Sequence, residues 1–280
     1  MRKRAIPSAD PGEIDSFLGD VRSLFGIDLF PYRRSSLGRR LFRRIRLAGR
    51  SSLAEYLDVL AADPSERGHL SRLLSIPVTE FFRNPELFDR IEKDVLPSLL
   101  DGREAREFRA WCPGCASGEE AYSLAVSLER TLPPGYPRKN VRLFATDVDE
   151  RSIDRARRGW FGADRVRFLP SDTIGTFFHP SGRGYVVDER IRRFIRFGRH
   201  DLLKDSPISH LDLLLCRNVL IYFEREQQER VISRLASAVR PGGFIAFGSS
   251  EALAFPSSFG LEPFDPALRI YRKNGEWVNG

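Results

Sequence analysis

Residues 108–130 read FRAWCPGCASGEEAYSLAVSLER, and their pattern decides the fold. The opening FRAWC is short, apolar and aromatic, as a buried strand is. The closing run, 121–130, has the composition of a helix. Between them lies a turn with two glycines, Gly114 and Gly118. Glycine in a strand-to-helix turn lets backbone approach a ligand closely. The spacing Gly114-x-x-x-Gly118 is not the G-x-G-x-x-G fingerprint, and no phosphate-loop lysine follows it. Glu119 and Glu120 open the helix instead. Paired acids there repel a pyrophosphate and suit a cation.

Working outward, short apolar runs at 141–146, 194–197, 211–216, 244–248 and 268–271 alternate with helical stretches such as 119–130 and 225–239. This alternation predicts a mostly parallel sheet covered on both faces, a doubly wound Rossmann-like α/β domain over 107–280. The second run ends in Asp147-Val148-Asp149. An acid at that strand end accepts hydrogen bonds from ribose hydroxyls, so Asp147 is expected on a ribose and Asp149 as a helix cap. Acids at both places narrow the ligand to a cationic adenosyl group, such as a sulfonium with its ammonium. Residues 162–188 fit neither period; Gly182, Gly184 and Tyr185-Val186-Val187 predict a small β-hairpin insertion.

Upstream, apolar residues recur at helical spacing: Phe17, Val21, Leu24, Phe25, then Leu37, Leu41, Ile45, then Leu53, Tyr56, Leu57, Leu60. Residues 1–75 therefore read as a small all-helical domain, and 76–106 as a linker with a connecting helix at 85–100. The 280 residues carry a net charge of +7. Between 31 and 50 stand eight arginines and no acid. Such a patch attracts nucleic acid, an anionic membrane face or an acidic protein surface, or is simply a solvated helix face. Without interleaved aromatics it does not specify nucleic acid. No apolar run approaches the length of a membrane span. The basic start Met1-Arg2-Lys3-Arg4 lacks the apolar stretch of a secretory signal. Three cysteines, Cys112, Cys115 and Cys216, fit free thiols in a reducing cytoplasm. No metal site is expected.

Four ordered blocks resemble the chemotaxis receptor glutamate methyltransferases, the CheR family. They are Thr79-Glu80-Phe81-Phe82-Arg83, the loop 111–122, Ala145-Thr146-Asp147-Val148-Asp149, and Cys216-Arg217-Asn218-Val219-Leu220-Ile221-Tyr222-Phe223. A fifth runs from Pro241-Gly242-Gly243 to Gly248-Ser249-Ser250-Glu251, and the resemblance covers nearly the whole chain. It implies methyl transfer from S-adenosylmethionine to receptor glutamates, giving methyl esters and S-adenosylhomocysteine. A carboxylate is ionised at neutral pH, so the reaction needs positioning more than a strong base. This accords with the chain's histidines, His69, His179, His200 and His210, none of which sits in a base-like motif. By resemblance Thr79, Arg83, Gly114, Glu119, Asp147, Asp201, Leu202, Arg217 and Asn218 contact the cofactor. Arg83, read as a buried arginine, and Tyr222 are the expected catalytic residues. Glu119 is assigned the cofactor's ammonium, Asp147 its ribose, and Asp201 with Leu202 the adenine. An interdomain salt bridge is the alternative for Arg83, and ordinary packing for Tyr222.

The expected partner is the cytoplasmic helical bundle of a chemoreceptor, met by Arg33, Arg34, Arg39, Arg40, Arg43 and Arg44. The enzyme is then cytoplasmic and monomeric, with no nucleic-acid partner and no membrane insertion. Three positions depart from the family: Pro77 replaces a common asparagine, Ser249 replaces a common histidine, and the hairpin at 178–185 is short. The short hairpin predicts an enzyme independent of a receptor-tail tether. The competing readings are a methyltransferase of this fold acting on another protein, a cofactor-binding regulator without transfer activity, and a nucleic-acid methyltransferase. The last is disfavoured because Arg217-Asn218-Val219-Leu220 lacks the Asp/Asn-Pro-Pro-Tyr/Phe pattern of amino-methylating enzymes.

Overall fold

The computed structural model describes residues 11–71, 79–101 and 106–275. Pro77 and the basic stretch 1–4 lie outside the described residues. The chain divides into two compact units, Met1–Ile76 with Tyr222–Gln228, and Pro77–Ile221 with Glu229–Gly280.

The first unit holds α1 (Pro11–Phe25), α2 (Arg34–Leu47), α3 (Leu53–Ala62) and α4 (Pro64–Ser71). The apolar spacing becomes its core: Phe17, Leu18 and Val21 of α1 bury with Leu37, Leu41 and Ile45 of α2 and with Tyr56 and Leu60 of α3. Ser52 caps α3 by accepting from the Glu55 N–H, while the Glu55 carboxylate accepts from the Ser51 N–H at 2.8 Å. The α2 arginines divide into two groups. Arg44 donates through Nε to buried Glu66 at 2.6 Å, and Glu66 also accepts from the Tyr56 hydroxyl. Arg34 bonds Asp15. Arg39, Arg43, Arg46 and Arg50 are exposed, spaced so that helix periodicity brings the α2 members to one face.

The second unit begins with α5 (Pro85–Arg90), a π-helical stretch Ile91–Val95 and α6 (Leu96–Leu100), where one connecting helix is predicted. Pro97 lacks the N–H that an α-helical bond there would need. Then follow β1 (Phe108–Pro113), α7 (Glu119–Thr131), β2 (Val141–Asp147), α8 (Glu150–Arg158), β3 (Trp160–Gly162), α9 (Ala163–Val166), α10 (Ser171–Phe177), β4 (Phe178–Ser181), β5 (Gly184–Val187), α11 (Glu189–Arg192) and β6 (Ile195–Arg199). The chain ends with β7 (Leu211–Cys216), α12 (Arg225–Ala238), β8 (Val239–Phe247), β9 (Leu261–Asp265) and β10 (Ile270–Lys273).

The main sheet has seven strands in the order β6-β2-β1-β7-β8-β10-β9. The first five run parallel, while β10 is antiparallel to β8 and to β9. The fold is thus α/β and Rossmann-like, with the order reversing between β1 and β7, where such sheets bind ligands. β7 is buried along its whole length, as a central parallel strand should be. β9 was not predicted: Pro263 and two exposed positions break its alternation, and such a strand is tolerated at a sheet edge. The insertion is larger than the predicted hairpin. A third strand, β3, joins it in a β3-β5-β4 sheet, too short at three residues to register as a period.

Candidate functional site

The loop between β1 and α7 lies against the end of β2. The Cys115 N–H donates to the Thr146 carbonyl at 2.9 Å. The Ala116 N–H donates to Asp147 Oδ2 at 2.9 Å, and the Asp149 N–H to Asp147 Oδ1. Two backbone donors leave the carboxylate further acceptor capacity for hydroxyls. Burial pushes the Asp147 carboxyl above its ordinary value, and those N–H groups pull it back. Asp149 takes the predicted cap position of α8, but its Oδ2 accepts from the Ser152 hydroxyl rather than from a backbone N–H.

Gly114 and Gly118 have left-handed φ of 67° and 97°. A Cβ on Gly114 would stand 2.3 Å from Val219 Cγ2, so glycine here permits contact with the segment after β7 as well as the turn. That segment hangs on one carboxylate. Buried Glu251 accepts N–H bonds from Gly248, Asn218, Val219 and Leu220, each at 2.7–2.8 Å. It fixes Asn218 in its left-handed conformation, φ 59°. Opposite, the His200 N–H donates to the Asp147 carbonyl, which brings Asp201 and Leu202 beside the β2 end. Asp201 Oδ1 accepts from the Leu203 N–H, and the Leu202 carbonyl accepts from Arg234. The structure therefore gathers the 113–118 loop, Asp147, Asp201 and Asn218 around one crevice at the switch point of the sheet.

Three expectations change. Arg217 is not a surface contact: its side chain is 2% exposed, its Nη1 donates to Glu120 Oε2 at 2.7 Å and its Nη2 to Asn84. A guanidinium with so little surface supports the site from beneath, because both ends of its fork are occupied by protein. Burial lifts the Glu120 carboxyl above the usual range, and the Arg217 charge pulls it back. Arg83 is not buried: its side chain is 35% exposed, with Nε 3.9 Å from Glu80. An arginine so placed is open to a ligand carboxylate, and its charge acts on Glu120. Glu119 is buried as a cation seat should be, but Arg165 and the Ser117 hydroxyl hold its carboxylate. Arg165 also donates to the Thr79 carbonyl, which ties the Thr79 block to the loop.

Tyr222 groups with the helical unit. Its ring lies under the Arg40 guanidinium, 4.6 Å from centroid to Cζ, and its carbonyl accepts from the Arg33 N–H. The parts that sequence reasoning missed are the long-range ones: Arg165 on Glu119, Asn84 on Arg217, and the role of Glu251. Pairs separated by 46, 133 and about 30 residues leave no local spacing to read. Only the Gly248-Ser249-Ser250-Glu251 block itself hinted at Glu251. The three thiols, Cys112, Cys115 and Cys216, are free and buried, and burial raises each well above the ordinary thiol value. They offer no nucleophile at neutral pH.

The donor set fits S-adenosylmethionine. The left-handed glycines open the loop, Asp147 retains acceptor capacity, and Glu119 is a carboxylate that already seats a cation. Comparison with known proteins agrees. The model of the CheR methyltransferase SAM-binding domain matches residues 77–266, and that of the CheR all-alpha domain matches residues 12–75. A chemotaxis protein methyltransferase of Listeria monocytogenes is 34% identical over 241 residues, covering 86% of this chain and 90% of its own length. An uncharacterized 104.1 kDa protein of Rhodobacter capsulatus is 37% identical over 246 residues, but the chain spans only 26% of that protein. WspC of Pseudomonas aeruginosa, named a probable biofilm formation methyltransferase, is 32% identical, covering 95% of this chain and 63% of its own length. The chain therefore belongs to the CheR family and is an S-adenosylmethionine-dependent methyltransferase.

Proposed function

We propose that the enzyme esterifies glutamate side chains of chemotaxis receptors, leaving glutamate methyl esters and S-adenosylhomocysteine. The observation that carries this reading is that the acids of the cofactor loop and of the β2 end are engaged by other groups of the protein. Glu120 is bound to Arg217, Glu119 to Arg165, and Asp147 to two backbone N–H groups. Such a site suits a nucleophile that arrives already ionised, as a glutamate does and an amine, protonated at neutral pH, does not. S-adenosylmethionine supplies an electrophilic methyl on a sulfonium. Glu119 would receive its ammonium in place of Arg165, Asp147 its ribose, and Asp201 with Leu202 its adenine. Gly114 and the backbone of Asn218 would flank it, and Thr79 would lie at its edge. Arg83 would steer the incoming carboxylate, and Tyr222 would stand near the transferred methyl. Catalysis would rest on positioning.

The acidic helical bundle of a receptor would meet the exposed α2 arginines, Arg39 and Arg43, as complementary charge. Arg33, Arg34 and Arg40 would contribute less, since each also bonds or stacks within its own unit. Arg44 would take no part, because Glu66 holds it. The enzyme would work as a cytoplasmic monomer; among the described residues no helix is long and apolar enough to cross a membrane. The β4–β5 turn is only Gly182-Arg183, which leaves no extension to hold a receptor tail. Calorimetry with a receptor-tail pentapeptide should therefore show no tight binding.

The deciding experiment incubates the enzyme with methyl-labelled S-adenosylmethionine and receptor-containing membranes, followed by mild alkali. Glutamate esters release volatile methanol; alkali-stable label would refute the glutamate reading. A second reading, another protein substrate of the same chemistry, is favoured by the resemblance to WspC. It predicts alkali-labile label on a protein that is not a chemoreceptor.

A further inference from the structure

Beside the loop lies a cavity of about 290 Å³ lined by Ser117 and Glu119, by Arg155 and Arg158 of α8, by Trp160, Phe161 and Gly162 of β3, and by Arg165. Arg165 is paired with Glu119. The two α8 arginines are exposed, and their charges are uncommitted: among the described residues Arg158 has no bonding partner and Arg155 bonds only the Ser152 hydroxyl, at 3.0 Å. Arg155 and Arg158 are three residues apart on one helix and face the same way. Trp160 is 47% exposed, an unusual setting for so large an apolar side chain. Its indole N–H is bonded to the Ser181 carbonyl, which fixes the ring at the cavity edge. Of the acids here, Glu119 in the lining is paired with Arg165, and Asp164 Oδ1 faces Gly162.

We propose that this cavity is a second recognition site for the protein substrate, seating acidic side chains that flank the glutamate to be methylated. The inference rests on the glutamate reading for the identity of the substrate, but the cavity's charge and shape do not depend on it. Two guanidiniums with no acid partner among the described residues and a fixed indole suit planar carboxylates carried on a peptide backbone. One wall of the cavity, Ser117 and Glu119, belongs to the cofactor loop and the start of α7, so an acidic segment bound here lies beside that loop. Charge complementarity selects the occupant: an acidic peptide fits, and a basic or purely apolar one does not.

Fluorescence anisotropy of labelled hexaglutamate with the full chain, saturated with S-adenosylhomocysteine, tests this. Arg155→Gln/Arg158→Gln should weaken binding about tenfold and flatten its salt dependence, while the affinity for S-adenosylhomocysteine, measured in the same samples, stays unchanged. Arg39→Gln/Arg43→Gln, on α2, should weaken hexaglutamate less than about threefold. Trp160→Ala should weaken it without altering the salt slope. The inference is overturned if wild type does not bind hexaglutamate, if the α8 pair has no effect, or if the α2 pair has an equal one, since the last result means only diffuse attraction to a basic protein. A failure of the glutamate reading would show instead as alkali-stable label and leaves these peptide titrations unaffected.

Discussion

Arg217 Nη1 lies 2.7 Å from Glu120 Oε2, a bidentate-capable guanidinium facing a nearly buried carboxylate below the cofactor loop. Replacing the arginine by a neutral side chain of similar length strands the acid. Arg217→Met should cost about 3–5 kcal/mol of stability, the range for breaking one side of a buried pair. Burial already holds the Glu120 carboxyl above its ordinary value, and Arg217 opposes that shift. Without Arg217 the value rises further. A carboxyl raised on folding favours the fold at low pH and loses that contribution as pH rises through its folded value. The deficit of Arg217→Met should therefore be larger at about pH 8 than at about pH 5 in denaturant titrations. Equal deficits at both would rule out the mechanism.

Asp188 has the opposite sign. It accepts from the Arg190 N–H and guanidinium and from His179 Nε2, and the Arg190 hydrogen bonds hold its carboxyl well below the ordinary range. A depressed carboxyl stabilises the fold above its unfolded value, about 3.9, and loses that contribution on further acidification. Asp188→Asn should lower the melting temperature at neutral pH. The gap to wild type should persist down to about pH 5 and narrow progressively below about pH 4. A gap that widens in acid would contradict the assignment.

Gly114→Ala places a methyl where Val219 already stands, on a backbone at φ 67°. We expect weaker S-adenosylhomocysteine binding by about tenfold or more, with the unfolding midpoint falling by a smaller margin. Val219→Ala on its own should be mild. Combined with Gly114→Ala it should restore part of the affinity, because the clash is removed and only the strained φ remains. Calorimetric titration of the three variants decides: no recovery in the double variant means the Val219 contact is not the cause.

Glu251 tests the organisation of the segment after β7. Glu251→Gln keeps the size but turns one end into a donor facing N–H groups, and Glu251→Ala leaves several donors unpaired. Both should raise the KM for S-adenosylmethionine more than they lower kcat, since the segment flanks the crevice without touching the nucleophile. Glu251→Ala should be the worse of the two. A kcat effect with unchanged KM would point to a direct role in the reaction instead.

Much of this arrangement was readable in the chain. The strand–glycine–helix pattern at 108–130, Asp147 at the end of β2 and the alternation of runs and helices rest on local spacing, which a parallel sheet expresses plainly. What escaped was the pairing across the fold. Glu119 and Glu120 read by spacing as a pair of acids suited to a cation, yet one faces Arg165 and the other Arg217, because successive helical residues point about 100° apart and meet different walls. Arg217 read as a contact because it leaves a strand end, and only its burial shows it to be a strut. Within the arginine run at 31–50, composition could not separate Arg44, bonded to Glu66, from exposed Arg43 beside it.

The two-residue turn between β4 and β5 gives the enzyme an engineering handle. Gly182 adopts φ 59° in open space, and the hairpin pairs in register on both sides of it. Loop tips of this kind accept insertions with little loss of stability. A peptide-recognition module grafted there would give the enzyme an address, directing it to any tagged protein while the crevice and its chemistry remain as they are. Substrate choice and methyl transfer would then become separable parts, exchangeable one at a time.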